Sequence, residues 1–193
     1  MKKKIGLFFG SFNPIHIGHL IIAEYCLEHS DLKEVWFVIS PCNPLKKKES
    51  LLEEHHRLYM TKLAIEDDVR FRACDIEFQL PYPSYTAVTL MHLSEKYPNM
   101  EFTLMMGADN IASIEKWRNY SYILDNYEIM VYPRRHSKIP EHLNIPRLVP
   151  VDAPLIEISA TQIRDSIKMK QKAQYMLPQA VARHIDEMNF YKK

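Results

Sequence analysis

Lys4-Ile5-Gly6-Leu7-Phe8-Phe9, followed by Gly10-Ser11-Phe12-Asn13-Pro14-Ile15-His16-Ile17-Gly18-His19, is the stretch that decides the architecture. The first six residues are a short apolar run closed by a glycine, which reads as a buried strand. From Gly18 to His29 the apolar residues Leu20, Ile21, Ala23, Tyr25 and Leu27 take mixed helical spacing, so a helix follows. Val35 to Ile39 (VWFVI) is a second strand, closed by Ser40-Pro41. A strand, a helix and a strand in that order form a parallel β-α-β unit.

The alternation continues outward from this unit. Ser50-Leu51-Leu52-Glu53 has capping-box form ahead of a helix to about Glu66. Val69 to Phe78 alternates as a strand, Pro81 and Pro83 interrupt it, and Ser84 or Thr86 can cap a helix to Lys96. Phe102 to Met106 is a buried strand stopped by Gly107-Ala108-Asp109, one or two short helices lie between Asn110 and Asp125, and Glu128 to Tyr132 is a further strand. A short strand near Leu148 to Val151 follows. Ser159-Ala160-Thr161-Gln162 opens a helix through about Met169, and Leu177-Pro178 starts the last one. No repeat, low-complexity tract or linker interrupts the 193 residues. The expectation is an α/β chain with one domain over 1–193, built on a doubly wound parallel sheet with helices on both faces.

Composition narrows the chemistry. The chain is 47% hydrophobic and 25% charged with a net charge of +1, so no broad basic field invites nucleic acid. Cys26, Cys42 and Cys74 are odd in number, widely spaced and free of C-x-x-C, which argues against a disulfide framework or a zinc site. The basic N-terminal residues precede an apolar run too short for a signal peptide or a membrane span. A cytoplasmic protein without membrane or nucleic-acid partners is expected. Only four glycines occur, roughly 2% where ~7% is usual, and three of them fall in the first eighteen residues.

In an open parallel sheet, ligands gather at the carboxyl ends of the strands. The unusual segments lie at such ends: Gly10 to His19, Ser40 to Lys46 and Gly107 to Asp109, with Ser159 to Arg164 opening a helix. His16 and His19, three apart, share a face at a helix N-terminus, whose free N–H groups suit phosphate.

The string Gly10 to His19 resembles the G-x-F-x-P-x-H-x-G-H signature of the nucleotidylyltransferase superfamily, which shares H-x-G-H with class I aminoacyl-tRNA synthetases. Three further pieces, in order, are similar to the bacterial nicotinate mononucleotide adenylyltransferase branch. They are Ser84-Tyr85-Thr86-Ala87-Val88-Thr89-Leu90, Gly107-Ala108-Asp109 with Trp117, and Ile158-Ser159-Ala160-Thr161-Gln162-Ile163-Arg164. The resemblance spans nearly the whole chain and implies a Rossmann-like fold and transfer of an adenylyl group from ATP to nicotinate mononucleotide, with Mg²⁺ accompanying ATP. It implies that Gly10, Ser11, Phe12 and Gly18 shape the ATP loop, and that His16, His19 and Arg164 stabilise charge at the reacting phosphate. Ser159 and Thr161 join Arg164 on the ATP phosphates, and Gly107 and Asp109 meet the ribose. Lys46, Ser84, Thr86, Trp117 and Arg134 then serve the mononucleotide.

Plainer readings stand beside these. Ser159 can cap its helix, Asp109 can cap the Asn110 helix, Trp117 can be core, and Lys46 to Lys48 can be a solvated charge run. Leu45 occupies a place where the family's P-x-H-K loop has His, which leaves Lys46 as that loop's phosphate candidate. Another acceptor such as nicotinamide mononucleotide or phosphopantetheine, and a nucleotide sensor without turnover, are the alternatives. No metal-ligating side chain is expected, and a homo-oligomer is compatible with the sequence. Lys168-Met169-Lys170-Gln171-Lys172 begins like the K-M-S-K-S loop of tRNA-ligating enzymes, but the chain has no room for their anticodon domain.

Overall fold

The computed structural model describes residues 2–41 and 51–192. Its chain order is β1 (Lys3–Gly10), α1 (Ile17–Glu28), β2 (Glu34–Ile39), α2 (Glu54–Ile65), β3 (Phe71–Cys74), α3 (Thr86–Lys96), β4 (Met100–Gly107) and α4 (Ala108–Ile111). Then come α5 (Tyr120–Asn126), β5 (Glu128–Tyr132), β6 (Leu148–Pro150), α6 (Ala160–Lys168) and α7 (Gln179–Glu187). The six strands form one sheet in the order β3-β2-β1-β4-β5-β6, and each neighbouring pair is parallel.

Side-chain alternation divides the core in two. Val35, Phe37 and Ile39 of β2, with Phe8, Met105 and Met130, pack under residues of α1, α2, α6 and α7 such as Ile22, Met60, Ile163 and Val181. Trp36 and Val38, with Ile5, Leu7, Leu104, Met106, Ile129 and Val131, face Leu90, Leu93 and Ile123 of α3 and α5 on the other side. Strands buried on both faces explain the continuous apolar runs. The register sets Phe8 beside both Phe37 and Met105. Because α1 leaves β1 on one face and α3 enters β4 on the other, the winding reverses between β1 and β4. Their carboxyl ends, Gly10 and Gly107, therefore flank the crevice where ligands bind in this architecture.

Three local expectations are corrected. The second helix begins at Glu54, with Glu53 as the residue before its first turn; Ser50 lies outside the described residues. Its start is delayed because the Leu52 backbone is bonded elsewhere: its N–H donates to Asn13 Oδ1 (3.3 Å) and its carbonyl accepts from Arg57 Nε (2.9 Å). The strand expected over Val69 to Phe78 ends at Cys74, and Ile76–Gln79 forms a 3-10 turn. That turn buries the carboxyl of Glu77, whose Oε1 accepts from Thr89 Oγ1 at 2.8 Å. Neither Ser84 nor Thr86 caps α3; Tyr85 holds the cap position without a side-chain bond. Ser159 does cap α6, accepting from Gln162 N at 3.2 Å. Among the described residues, no helix is long and apolar enough to cross a membrane.

Candidate active site

The loop after β1 is built by close packing and buried hydrogen bonds. Phe12 takes a left-handed backbone (φ 43°), unfavourable for an aromatic residue, and its ring sits where a Cβ on Gly10 would collide at 2.8 Å. Phe12 and Phe8 present ring contacts to His19 at 5.1 and 5.9 Å. His16 precedes the first turn of α1 in extended conformation, and its N–H donates to His19 Nδ1 at 3.2 Å. That bond assigns the proton of a neutral His19 ring to Nε2. The two imidazoles stack at 3.7 Å. Gly18 between them is required for a reason outside the motif. A Cβ there would lie 2.7 Å from Ile156 Cγ2 and 3.1 Å from His16 Nδ1.

His16 is buried, and its Nδ1 has no hydrogen-bond partner. Burial, aided by the nearby Arg134 guanidinium, pushes its pKa down to about 4, so the ring is neutral at physiological pH.

The β1 loop is joined to α6 through Arg164, whose Nη1 donates to the Asn13 carbonyl (2.8 Å) and Nη2 to Thr161 Oγ1 (3.2 Å). His16, His19, Ser159, Thr161 and Arg164 thus belong to two elements held in direct contact. At the end of β4, a Cβ on Gly107 would lie 2.3 Å from Asp109 Oδ1 and 3.0 Å from Arg134 Cγ. The glycine makes room for this pair, in which Arg134 Nε lies 3.8 Å from Asp109 Oδ1. Arg134 also donates to the Ile156 carbonyl (3.3 Å) and stacks over Tyr132 (5.2 Å). It therefore sits beside Asp109 and His16, residues expected to serve ATP, although the sequence reading set it on the mononucleotide.

On the other flank, Thr86 is the first residue of α3, and Ser84 Oγ is buried without a partner. Trp117 is half-buried against the α3/α5 core, so it is partly core and partly accessible. Its neighbour Arg118 lies over the Tyr85 ring at 4.8 Å, which draws the Trp117 segment towards the start of α3. Lys46 lies outside the described residues.

Sequence reasoning missed Arg57, which is fully buried. Besides Leu52, it donates to the carbonyls of Ser11 (2.6 Å), Ser40 (2.8 Å) and Pro41 (2.9 Å). It ties the ends of β1 and β2 to α2. The available signal was its helical spacing with the buried Met60, Thr61 and Ile65, which puts an arginine on the core face. Among the described residues, Glu53, His55 and His56 bring possible metal-ligand atoms within 4.8 Å of one another. They are largely exposed at the positive end of α2, a poor place for a cation.

Comparison with known proteins agrees with this geometry. The cytidylyltransferase-like family model matches residues 7–166. A Flavobacterium johnsoniae protein named "probable nicotinate-nucleotide adenylyltransferase" is 53% identical over 193 residues, covering 98% of this chain and all of the relative. A Bacteroides fragilis protein of the same name is 42% identical, covering 95% of this chain and 92% of the relative. In fold, the chain is similar to Plasmodium falciparum nicotinic acid mononucleotide adenylyltransferase complexed with NaAD, with a TM-score of 0.83, 23% identity and 98% coverage of both chains. The motifs, the parallel sheet and these relatives converge, and the chain belongs to the nicotinate-nucleotide adenylyltransferase family of the cytidylyltransferase-like proteins.

Proposed function

We propose that this chain transfers the adenylyl group of ATP to nicotinate mononucleotide, giving nicotinate adenine dinucleotide and pyrophosphate for NAD biosynthesis. The observation that carries the reading is the stacked His16–His19 pair at the end of β1, joined through Asn13 to Arg164 of α6. In this reading the triphosphate lies between the N-terminal ends of α1 and α6, against His16, His19, Ser159, Thr161 and Arg164. Gly10, Ser11, Phe12 and Gly18 shape its bed, and Gly107 with Asp109 takes the ribose. The mononucleotide lies towards Ser84, Thr86 and Trp117, with Arg134 between the two substrates and Lys46 contributing from its loop.

A phosphate oxygen of the mononucleotide attacks the α-phosphorus of ATP. A new P–O bond forms, the bond to the bridging α,β-oxygen breaks, and pyrophosphate leaves with that electron pair. No covalent intermediate on the protein is needed. The side chains position and neutralise, and holding two reactants in line supplies on the order of 7–11 kcal/mol. A neutral His16 costs little to keep buried before ATP arrives, and an adjacent phosphate raises its pKa so that it can donate a charge-assisted bond.

Mg²⁺ prefers oxygen ligands. The nearby protein donors are imidazole nitrogens and an Asp109 carboxylate beside Arg134, so they fit the ion only as a companion of the substrate. It would be held by phosphate oxygens and water and would offset their charge.

The test is to mix purified protein with ATP, Mg²⁺ and either nicotinate or nicotinamide mononucleotide, following pyrophosphate and dinucleotide together. Strong turnover with the nicotinate form alone supports the full reading. Equal turnover with both removes the base preference, and ATP binding without pyrophosphate release from either overturns transfer in favour of a sensor.

A further inference from the structure

The segment after α7 returns to the β1 loop. Asn189 and Tyr191 both adopt left-handed backbone conformations, with φ of 55° and 62°. The second is costly for a tyrosine and persists only where the surroundings determine it. There the Tyr191 hydroxyl donates to Asn13 Oδ1 at 2.8 Å, bridging residues 178 positions apart. Asn13 is buried. Its Oδ1 also accepts from Leu52 N–H (3.3 Å), and its main-chain carbonyl is the acceptor gripped by Arg164 (2.8 Å). Burial raises the pKa of the Tyr191 phenol, against the opposing influence of Arg164 and Arg57. The hydroxyl therefore keeps its proton and remains a donor throughout the working pH range.

We propose that Tyr191 is a positioning residue for adenylyl transfer, fixing Asn13 and so setting the His16–His19 pair against the phosphate-facing start of α6. The inference rests on the function proposed above. Asn13 is the junction of three elements: its amide side chain meets Tyr191 and the chain before α2, and its carbonyl orients Arg164. Loss of the phenol hydroxyl removes the shorter of the two bonds to Oδ1, the other being from Leu52 N–H at 3.3 Å, and so loosens the hold on the amide. The peptide that Arg164 uses as its reference then becomes less fixed. Errors well below an ångström in such a bed affect the reacting phosphate more than the remote acceptor base.

Tyr191→Phe keeps the ring, including its contact with Phe190 (6.3 Å between centroids), and removes only the hydroxyl. The expected result is a fall in kcat/KM for ATP of roughly three- to ten-fold, the scale of one hydrogen bond. The KM for the mononucleotide stays unchanged, and circular dichroism and the thermal midpoint stay close to those of the unmodified protein. On an Asn13→Ala background, Tyr191→Phe should have little further effect, because both changes break the same link. The proposal is overturned if Tyr191→Phe leaves kcat/KM for ATP intact in an active enzyme. It is also overturned if the two substitutions act independently, or if both substrates are affected equally in step with lost stability. Absence of pyrophosphate from the unmodified protein overturns the underlying reading and this inference together, whereas an active protein with an indifferent Tyr191→Phe variant overturns this inference alone.

Discussion

The two flanks of the crevice are finished to different degrees. On the β1/α6 flank, most polar groups are bonded to the protein, with His16 Nδ1 the exception: Arg57 spans four carbonyls, Arg164 spans Asn13 and Thr161, Ser159 caps its helix, and His16 N–H meets His19. Towards α3 and β5, Ser84 Oγ and Arg134 Nε are buried without a hydrogen bond, Arg134 Nε having only the 3.8 Å approach of Asp109 Oδ1, and Trp117 is half-open. The contrast teaches a division of labour. A flank completed by the protein can meet developing charge without reorganising. A flank with unsatisfied groups is completed by what binds there, at the expense of some stability beforehand. Substitutions on the first flank should therefore damage stability or turnover, and those on the second should alter acceptor affinity.

The largest effect is expected from Arg57→Met, which leaves buried carbonyls without their common donor. Chemical denaturation should show a loss of at least about 1–3 kcal/mol, the cost of leaving even one buried acceptor unsatisfied; a loss below about 1 kcal/mol would break the contrast. His19→Ala should come next, with turnover down by ~10²–10³ and the fold retained. A folded variant with near-normal turnover would remove His19 from the chemistry.

His16 carries a pH signature. Its folded-state pKa is lowered from 6.5 to about 4, so below pH 6.5 the unfolded chain takes up a proton that the folded chain refuses. Stability from this group is present above pH 6.5 and is lost as pH falls towards 4, by about 3 kcal/mol. Denaturation of the unmodified protein and His16→Asn across that window should diverge by this amount on acidification, and parallel curves would contradict the buried neutral ring. The smallest effect sharpens the comparison most. Ser84→Ala removes a buried hydroxyl without a partner, so the thermal midpoint should hold or rise slightly. The KM for the mononucleotide should rise roughly three- to ten-fold if the substrate supplies the missing bond. A drop in stability with an unchanged KM would make Ser84 an ordinary structural residue.

These differences also explain what was readable beforehand. The strand–helix alternation was legible because period-2 and helical apolar patterns are local, and β5 spans Glu128–Tyr132, the bounds expected for it. The Ser159 cap was legible for the same reason. The delayed start of α2 was not, because Leu52 is bonded to Asn13 and Arg57 rather than to a helical neighbour. Val69 to Phe78 misled because a buried 3-10 turn and a strand leave similar short apolar patterns. In the candidate site, motif order picked out the β1 loop and the start of α6, which the fold joins through Asn13 and Arg164, but not their supports. Gly18 yields to Ile156, Arg57 reaches back to Ser11, and Tyr191 reaches Asn13, all contacts between distant parts of the chain. Arg134 was legible as a cation, whereas its nearness to Asp109 depends on how the ends of β4 and β5 pair.

The most direct test follows the atom said to be attacked. Protein, Mg²⁺ and nicotinate mononucleotide would be incubated with ATP carrying radioactive phosphorus at the α position, and the products separated. Adenylyl transfer predicts that all converted label enters the dinucleotide and none enters pyrophosphate. Label recovered only in AMP or ADP, with no labelled dinucleotide formed, would contradict it.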